Sequence, residues 1–178
     1  NAGNSIASGG NQNVCIGDEA GTAITTGDNN TFVGMTAGAT VATNSDNTAV
    51  GAFALDAGTG DNNIAVGSGA LGGSSYAADN NVAIGKDAGN AITSGIRNIL
   101  IGSLAGDAFT DADFNIGIGH QALTNDTQGS KATAVGYRTL ANQNFSSATD
   151  SHNTAIGNDA GLNITTGQQN VLIGSLAG

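Results

Sequence analysis

The chain has 178 residues, 29 of them glycine and none proline, with 4% aromatic and 10% charged side chains. Too few large side chains are present to fill a wide core, yet 39% apolar content with so little charge is not the profile of a disordered chain. The net charge of −10 sets fourteen acids against Lys86, Arg97, Lys131 and Arg138, and four scattered cations cannot form a phosphate-neutralising stripe, so neither nucleic acid nor an anionic membrane surface is an expected partner.

No apolar run reaches the roughly 18 residues of a membrane span, and direct membrane insertion by this segment is not expected. Cys15 has no second cysteine to pair with, which leaves no disulfide framework. Both ends fall inside a repeat, at Asn1-Ala2-Gly3 and Leu176-Ala177-Gly178, and this predicts a piece of a longer fibre.

Read from the N-terminus, the first complete unit is Asn13-Val14-Cys15-Ile16-Gly17, with Ala20 three residues on. The same pattern returns with its glycine at Gly34, Gly51, Gly67, Gly85, Gly102, Gly119, Gly136, Gly157 and Gly174. Successive glycines are 17, 17, 16, 18, 17, 17, 17, 21 and 17 residues apart. A near-constant period of this length is the signature of a solenoid, in which each repeat covers its neighbours.

Each unit carries β-branched residues one and three positions before the glycine, the mark of an extended strand with those side chains on one face. The opposite face, two before the glycine, reads Cys15, Phe32, Ala49, Ala65, Ala83, Leu100, Gly117, Ala134, Ala155 and Leu172, with no polar residue. A strand apolar on both faces needs cover on both. The spacing therefore predicts an all-β fold: a parallel β-solenoid of about ten 17-residue coils, one repeat domain over residues 1–178.

The uniformly β-branched row, Ile16, Val33, Val50, Val66, Ile84, Ile101, Ile118, Val135, Ile156 and Ile173, is assigned to the structural core inside the coil. The small and variable row, Cys15, Phe32, Ala49, Ala65, Ala83, Leu100, Ala134, Ala155 and Leu172, is assigned to a subunit interface, because small side chains let a second backbone approach. Four residues before the glycine stand Asn13, Asn30, Asn47, Asn63, Asn81, Asn98, Asn115, Asn153 and Asn170, interrupted at Ala132. In register they predict an asparagine ladder along the fibre axis. Glycines in Thr25-Thr26-Gly27 and Thr165-Thr166-Gly167 are read as suppliers of positive φ.

Two kinds of coil alternate in pairs. Gly21, Gly38, Gly89, Gly106 and Gly161 are each followed three residues later by Ile24, Val41, Ile92, Phe109 or Ile164. Leu55, Leu71, Leu123 and Leu140 take the first place elsewhere, with Gly58, Ser74, Asp126 and Gln143 at the second. Close packing predicts that the leucine fills the volume the later apolar residue fills in the other kind.

The units Asn81-Val82-Ala83-Ile84-Gly85-Lys86-Asp87-Ala88 and Asn153-Thr154-Ala155-Ile156-Gly157-Asn158-Asp159-Ala160 resemble the head repeats of trimeric autotransporter adhesins. Similar repeats occur in bacteriophage tail-fibre-like proteins. The resemblance covers the whole chain and implies a left-handed parallel β-roll packed as a homotrimer, on a cell surface or a virion. It implies a non-catalytic structural or adhesive segment of an extracellular fibre, or a phage tail-fibre shaft, that meets a host-surface protein or glycan. Repeats of 17 residues are longer than those typical of such heads.

No catalytic, cofactor-binding or metal site is expected. His120 and His152 lie 32 residues apart and read as surface side chains, Cys15 as a small apolar filler, and no calcium-solenoid or phosphate-loop pattern is present. The surplus residues of the 21-residue interval lie in a polar loop, 142–152, whose Phe145 is a candidate partner contact. An ice-binding solenoid is a remote alternative, with its threonine rows broken by the leucine-type coils.

Overall fold

A computed structural model describes residues 1–6, 9–58, 60–73 and 77–178. Its elements are twelve short strands: β1 (Val14–Ile16), β2 (Thr31–Val33), β3 (Thr48–Val50), β4 (Ile64–Val66), β5 (Val82–Ile84), β6 (Ile99–Ile101), β7 (Ile116–Ile118), β8 (Gly129–Ser130), β9 (Thr133–Val135), β10 (Thr149–Asp150), β11 (Thr154–Ile156) and β12 (Val171–Ile173). Ten of them form one sheet in the order β1-β2-β3-β4-β5-β6-β7-β9-β11-β12, and β8 pairs with β10 in a second, two-stranded sheet. Every pairing is parallel, and within the ten-stranded sheet each aligns equivalent repeat positions, as in Cys15 opposite Phe32 and Ala83 opposite Leu100. The fold is the expected all-β solenoid, one coil per repeat.

The repeat glycine is fixed by two requirements at once. Its φ lies between 125° and 141° in every coil, a region closed to side chains. A Cβ at Gly102 would also lie 2.4 Å from the Gly119 carbonyl oxygen of the next coil. Stacked backbones touch here, so the coil spacing itself excludes any other residue.

The remaining corners are left-handed too, most of them at non-glycine residues. One lies two residues after the repeat glycine, as at Glu19, Phe53 and Arg138, with Gly69 there in one coil, and another five before it, as at Asn29, Arg97 and Lys131. Gly27 and Gly167 are not among the positive-φ residues. A Cβ on Gly27 would stand 2.2 Å from the Asn44 carbonyl oxygen, so close backbone approach, and not φ, demands glycine there.

The interior corrects the expected orientation of the strands. Phe32, Ala49, Ala65, Ala83, Leu100, Ala134 and Ala155 are fully buried within the single chain, and Cys15 and Leu172 pack against the same core. The row assigned to a subunit interface is therefore the inside of the coil. The row assigned to the core is outside: Ile16 is 59% exposed and Ile84 38%, with Val50, Ile118, Ile156 and Ile173 also exposed. Val33, Val66, Ile101 and Val135 are half-buried. The physical reason lies in width. A coil this flat leaves room opposite the strand only for alanine-sized groups and an occasional larger one, so volume varies inside and β-branching is uniform outside.

The asparagine ladder is present and does more than stack. Asn13 Oδ1 accepts the Asn30 backbone N–H at 2.9 Å, while Asn13 Nδ2 donates to the Gly27 carbonyl at 2.8 Å. The same pair of bonds recurs at Asn30, Asn47, Asn81, Asn98 and Asn115. Asn63 Oδ1 accepts the Asn81 N–H, and Asn153 Oδ1 accepts the Asn170 N–H. The side chains of Asn13, Asn30, Asn47, Asn81, Asn98, Asn115 and Asn153 thus each satisfy one donor and one acceptor of turn backbone.

The two coil kinds pack as complementary volumes. Leu55, Leu71, Leu123 and Leu140 point inward, as do Ile24, Val41, Ile92 and Phe109. A Cβ on Gly106 would lie 2.9 Å from the Phe109 ring and 2.8 Å from Leu100, and one on Gly21 would lie 2.8 Å from Ile24. The strand's central residue thus joins the same exchange. Ser74, the later residue of the Leu71 coil, lies outside the described residues.

Candidate functional site: an exposed β-branched sheet face

The most distinctive surface is the outer face of the ten-stranded sheet. Two side chains per strand point outward, such as Val14 and Ile16 of β1, Ile64 and Val66 of β4, Ile99 and Ile101 of β6, and Val171 and Ile173 of β12. With strands about 4.8 Å apart, ten of them make a ribbon roughly 45 Å long. Along it, Val, Ile and Thr repeat with no charged side chain.

Hydroxyls on this face occur only at Thr31, Thr48, Thr133 and Thr154. These threonines were the signal available in the sequence. Four coils tolerate a hydroxyl three positions before the glycine, whereas no coil has a polar group two before it. The wholly apolar row had to be the interior.

Around this face run edges of mixed chemistry. Arg97 lies over the Phe114 ring at 5.4 Å, and Arg138 over Tyr137 at 5.8 Å. His120 stacks on Tyr137 with ring centroids 5.6 Å apart. Lys131 pairs with Asp150 at 2.5 Å, half-exposed on both sides. His120 and His152 stay apart, in keeping with their reading as surface side chains.

Phe145 is not an exposed contact. It is 5% exposed, its N–H donates to Asp126 Oδ1 at 3.1 Å, and its ring closes over the coil near Gly129. An aromatic ring in a polar loop was anchored inward because the enlarged coil needed filling.

Beneath it lies a polar group that the sequence did not reveal. Asp126 and Gln143 occupy the interior positions that hold apolar residues in other coils. Asp126 Oδ1 accepts N–H groups from Gly129 and Phe145, and Gln143 Nε2 donates to Asp126 Oδ2 at 2.6 Å. Gln143 Oε1 then accepts from Asn153 Nδ2 at 2.7 Å. Here the ladder skips a rung, because Ala132 has no amide, and Gln143 supplies the missing group from the side.

Two acids are perturbed. Burial pushes the Asp107 and Asp56 carboxyls above the ordinary range, partly offset at Asp107 by the hydrogen bond from Thr124 Oγ1. Burial also raises the Cys15 thiol. Among the described residues, no cluster of three His, Cys, Asp or Glu side chains could hold a metal ion, and no ligand-sized cavity is present. Comparison with protein families, curated proteins and solved structures returns no match.

Proposed function

We propose that the chain is a non-catalytic structural segment of an extracellular adhesive fibre, and that its outer sheet face is where copies of the chain associate, as a homotrimer. The observation that supports this reading is the ribbon of exposed valine and isoleucine along the ten-stranded sheet. Contiguous apolar surface of this kind is rare on soluble monomers and marks association. Being one repeated strip, it suits a closed symmetric assembly in which the same face of each copy meets its neighbours. Three chains around an axis would cover a face that one narrow coil cannot.

The resemblance of the Asn-x-Ala-Ile-Gly units to adhesin head repeats supports the adhesive role, the trimer and a place on a cell or virion surface. A tail-fibre shaft makes the same use of the face. In either setting the host-side partner is a surface protein or glycan met by the edges and not by the ribbon.

Sedimentation equilibrium across micromolar concentrations tests the reading. A stable trimer is expected, with Ile84→Asp and Ile118→Asp giving folded monomers. A folded wild-type monomer at those concentrations overturns it. If that monomer also shows thermal hysteresis, the regular Thr and Val face is an ice-binding surface instead.

A further inference from the structure

We infer that Asn144 is an acceptor site for an N-linked sugar, on the loop that distinguishes the 21-residue coil. The inference rests on the reading of the chain as an exported fibre segment, since exported surface loops are where such sugars are carried. The triplet Asn144-Phe145-Ser146 has the acceptor pattern Asn-x-Ser/Thr.

A triplet of this kind arises easily by chance in a chain rich in asparagine and threonine, so the geometry has to carry the argument. A transferase needs the asparagine amide and the hydroxyl two residues on to face it together. Asn144 and Ser146 are both exposed, and Phe145 between them is buried. The alternation out, in, out puts amide and hydroxyl on the same outer side of the chain. The Phe145 ring and its N–H bond to Asp126 pin the middle residue, and Asn144 N–H donates to the Thr165 carbonyl at 2.9 Å. Asn144 Oδ1 accepts from Thr127 Oγ1 at 3.2 Å. Among the described residues neither the Asn144 amide nitrogen nor the Ser146 hydroxyl makes a hydrogen bond, so both are available.

The other triplets differ. In Asn29-Asn30-Thr31, Thr31 belongs to β2 on the sheet face, and Asn29 Nδ2 is already bonded to Asp46 Oδ1 at 3.1 Å. Asn125 Nδ2 is bonded to Asn142 Oδ1 at 3.3 Å, and the Thr127 hydroxyl is engaged by Asn144 and the Phe145 carbonyl. In Asn163-Ile164-Thr165 the middle residue is only half-buried, so the triplet is not pinned as Phe145 pins the other. Asn144 follows its repeat glycine by eight residues, about half a coil from the strand face, so a sugar there leaves the association ribbon free.

The step itself is a substitution at the anomeric carbon. Asn144 Nδ2 bonds to that carbon of a nucleotide-activated hexose, the bond from carbon to the diphosphate oxygen breaks, and the nucleoside diphosphate leaves with the electron pair. The amide gives up one proton to the transferase.

The test co-expresses the full chain with a soluble asparagine glycosyltransferase that uses nucleotide-activated hexose, then maps glycopeptides by mass spectrometry. One hexose at Asn144 is expected, lost in Asn144→Gln and in Ser146→Ala, with the melting curve of each variant unchanged. Asn29 is expected to stay bare. An empty Asn144, in cells where a flexible peptide carrying the same triplet is modified, overturns the inference. So does equal occupancy at Asn29, which would mean that the triplet alone and not its geometry decides. Sedimentation of the same samples reports on the trimer separately, so failure of one reading is distinguishable from failure of the other.

Discussion

The Cβ that Gly38 lacks would lie 2.5 Å from the ring of Phe32, the one aromatic residue in the inward row of the strands. Leucine follows the strand only where the inward residue is alanine or glycine, as at Ala49 with Leu55 and Gly117 with Leu123, and glycine follows it wherever that residue is large, at Phe32, Leu100 and Leu172. Phe32→Ala is expected to cost about 3–5 kcal/mol, the usual effect of emptying a core site. Gly38→Leu alone is expected to destabilise through collision. In the double variant the leucine occupies the space the ring vacated, and a positive coupling energy is expected from chemical denaturation of all four proteins. Recovery stays partial, because φ at Gly38 is +59° and a left-handed leucine costs roughly 1–2 kcal/mol. Strictly additive losses would show that the two positions do not share a cavity.

Ala83 and Ile84 are adjacent in β5 and point to opposite sides. Ala83→Asp puts an unpaired carboxylate inside the coil, and a loss on the order of 3–5 kcal/mol is expected, visible as a lower melting temperature at any protein concentration. Ile84→Asp is expected to leave the circular dichroism of the chain intact while abolishing association. If Ala83→Asp folded normally and only failed to associate, the inward orientation of that row would be refuted.

Gln143 bridges the Asp126 carboxylate and the Asn153 amide. Gln143→Ala removes a donor from one buried group and an acceptor from another, and about 1–3 kcal/mol per stranded group is expected to be lost. Hydrogen exchange should localise the opening to the coils around residues 126–153, with β1 to β5 retaining protection. Uniform loss along the whole solenoid would contradict a local role.

Asp56 and Asp107 give the stability a pH dependence of known sign. Their folded-state values lie above the ordinary carboxylate value, so the native chain holds protons more tightly than the unfolded one. The associated stability is fully present below the ordinary value and is lost as pH rises through the folded values. Both groups are partly solvated, which keeps the effect small. Denaturation midpoints are expected to rise as pH falls from neutrality toward that window, and Asp56→Asn with Asp107→Asn should flatten the slope. General relief of repulsion in a chain of net charge −10 acts in the same direction, so the double variant is the informative arm. An unchanged slope would assign the whole effect to net charge.

The period, the strand positions, the parallel stacking and the asparagine ladder were all legible in the sequence, because each depends on the repeat alone. A period of about 17 residues with β-branched residues at fixed places leaves a chain few ways to cover itself, and asparagine in register meets the same turn backbone in every coil. Which face of the strand lies inside left only a faint sign in the sequence, the four threonines of the outer row. It was decided by how neighbouring volumes add up inside the stacked coils, as across Phe32, Gly38 and Val41. The inward turn of Phe145 and the Asp126–Gln143–Asn153 bridge depend on a vacancy made by Ala132 and by four surplus residues, 21 less 17. Such a vacancy exists only once the coils are stacked, so only the tertiary structure could fill it.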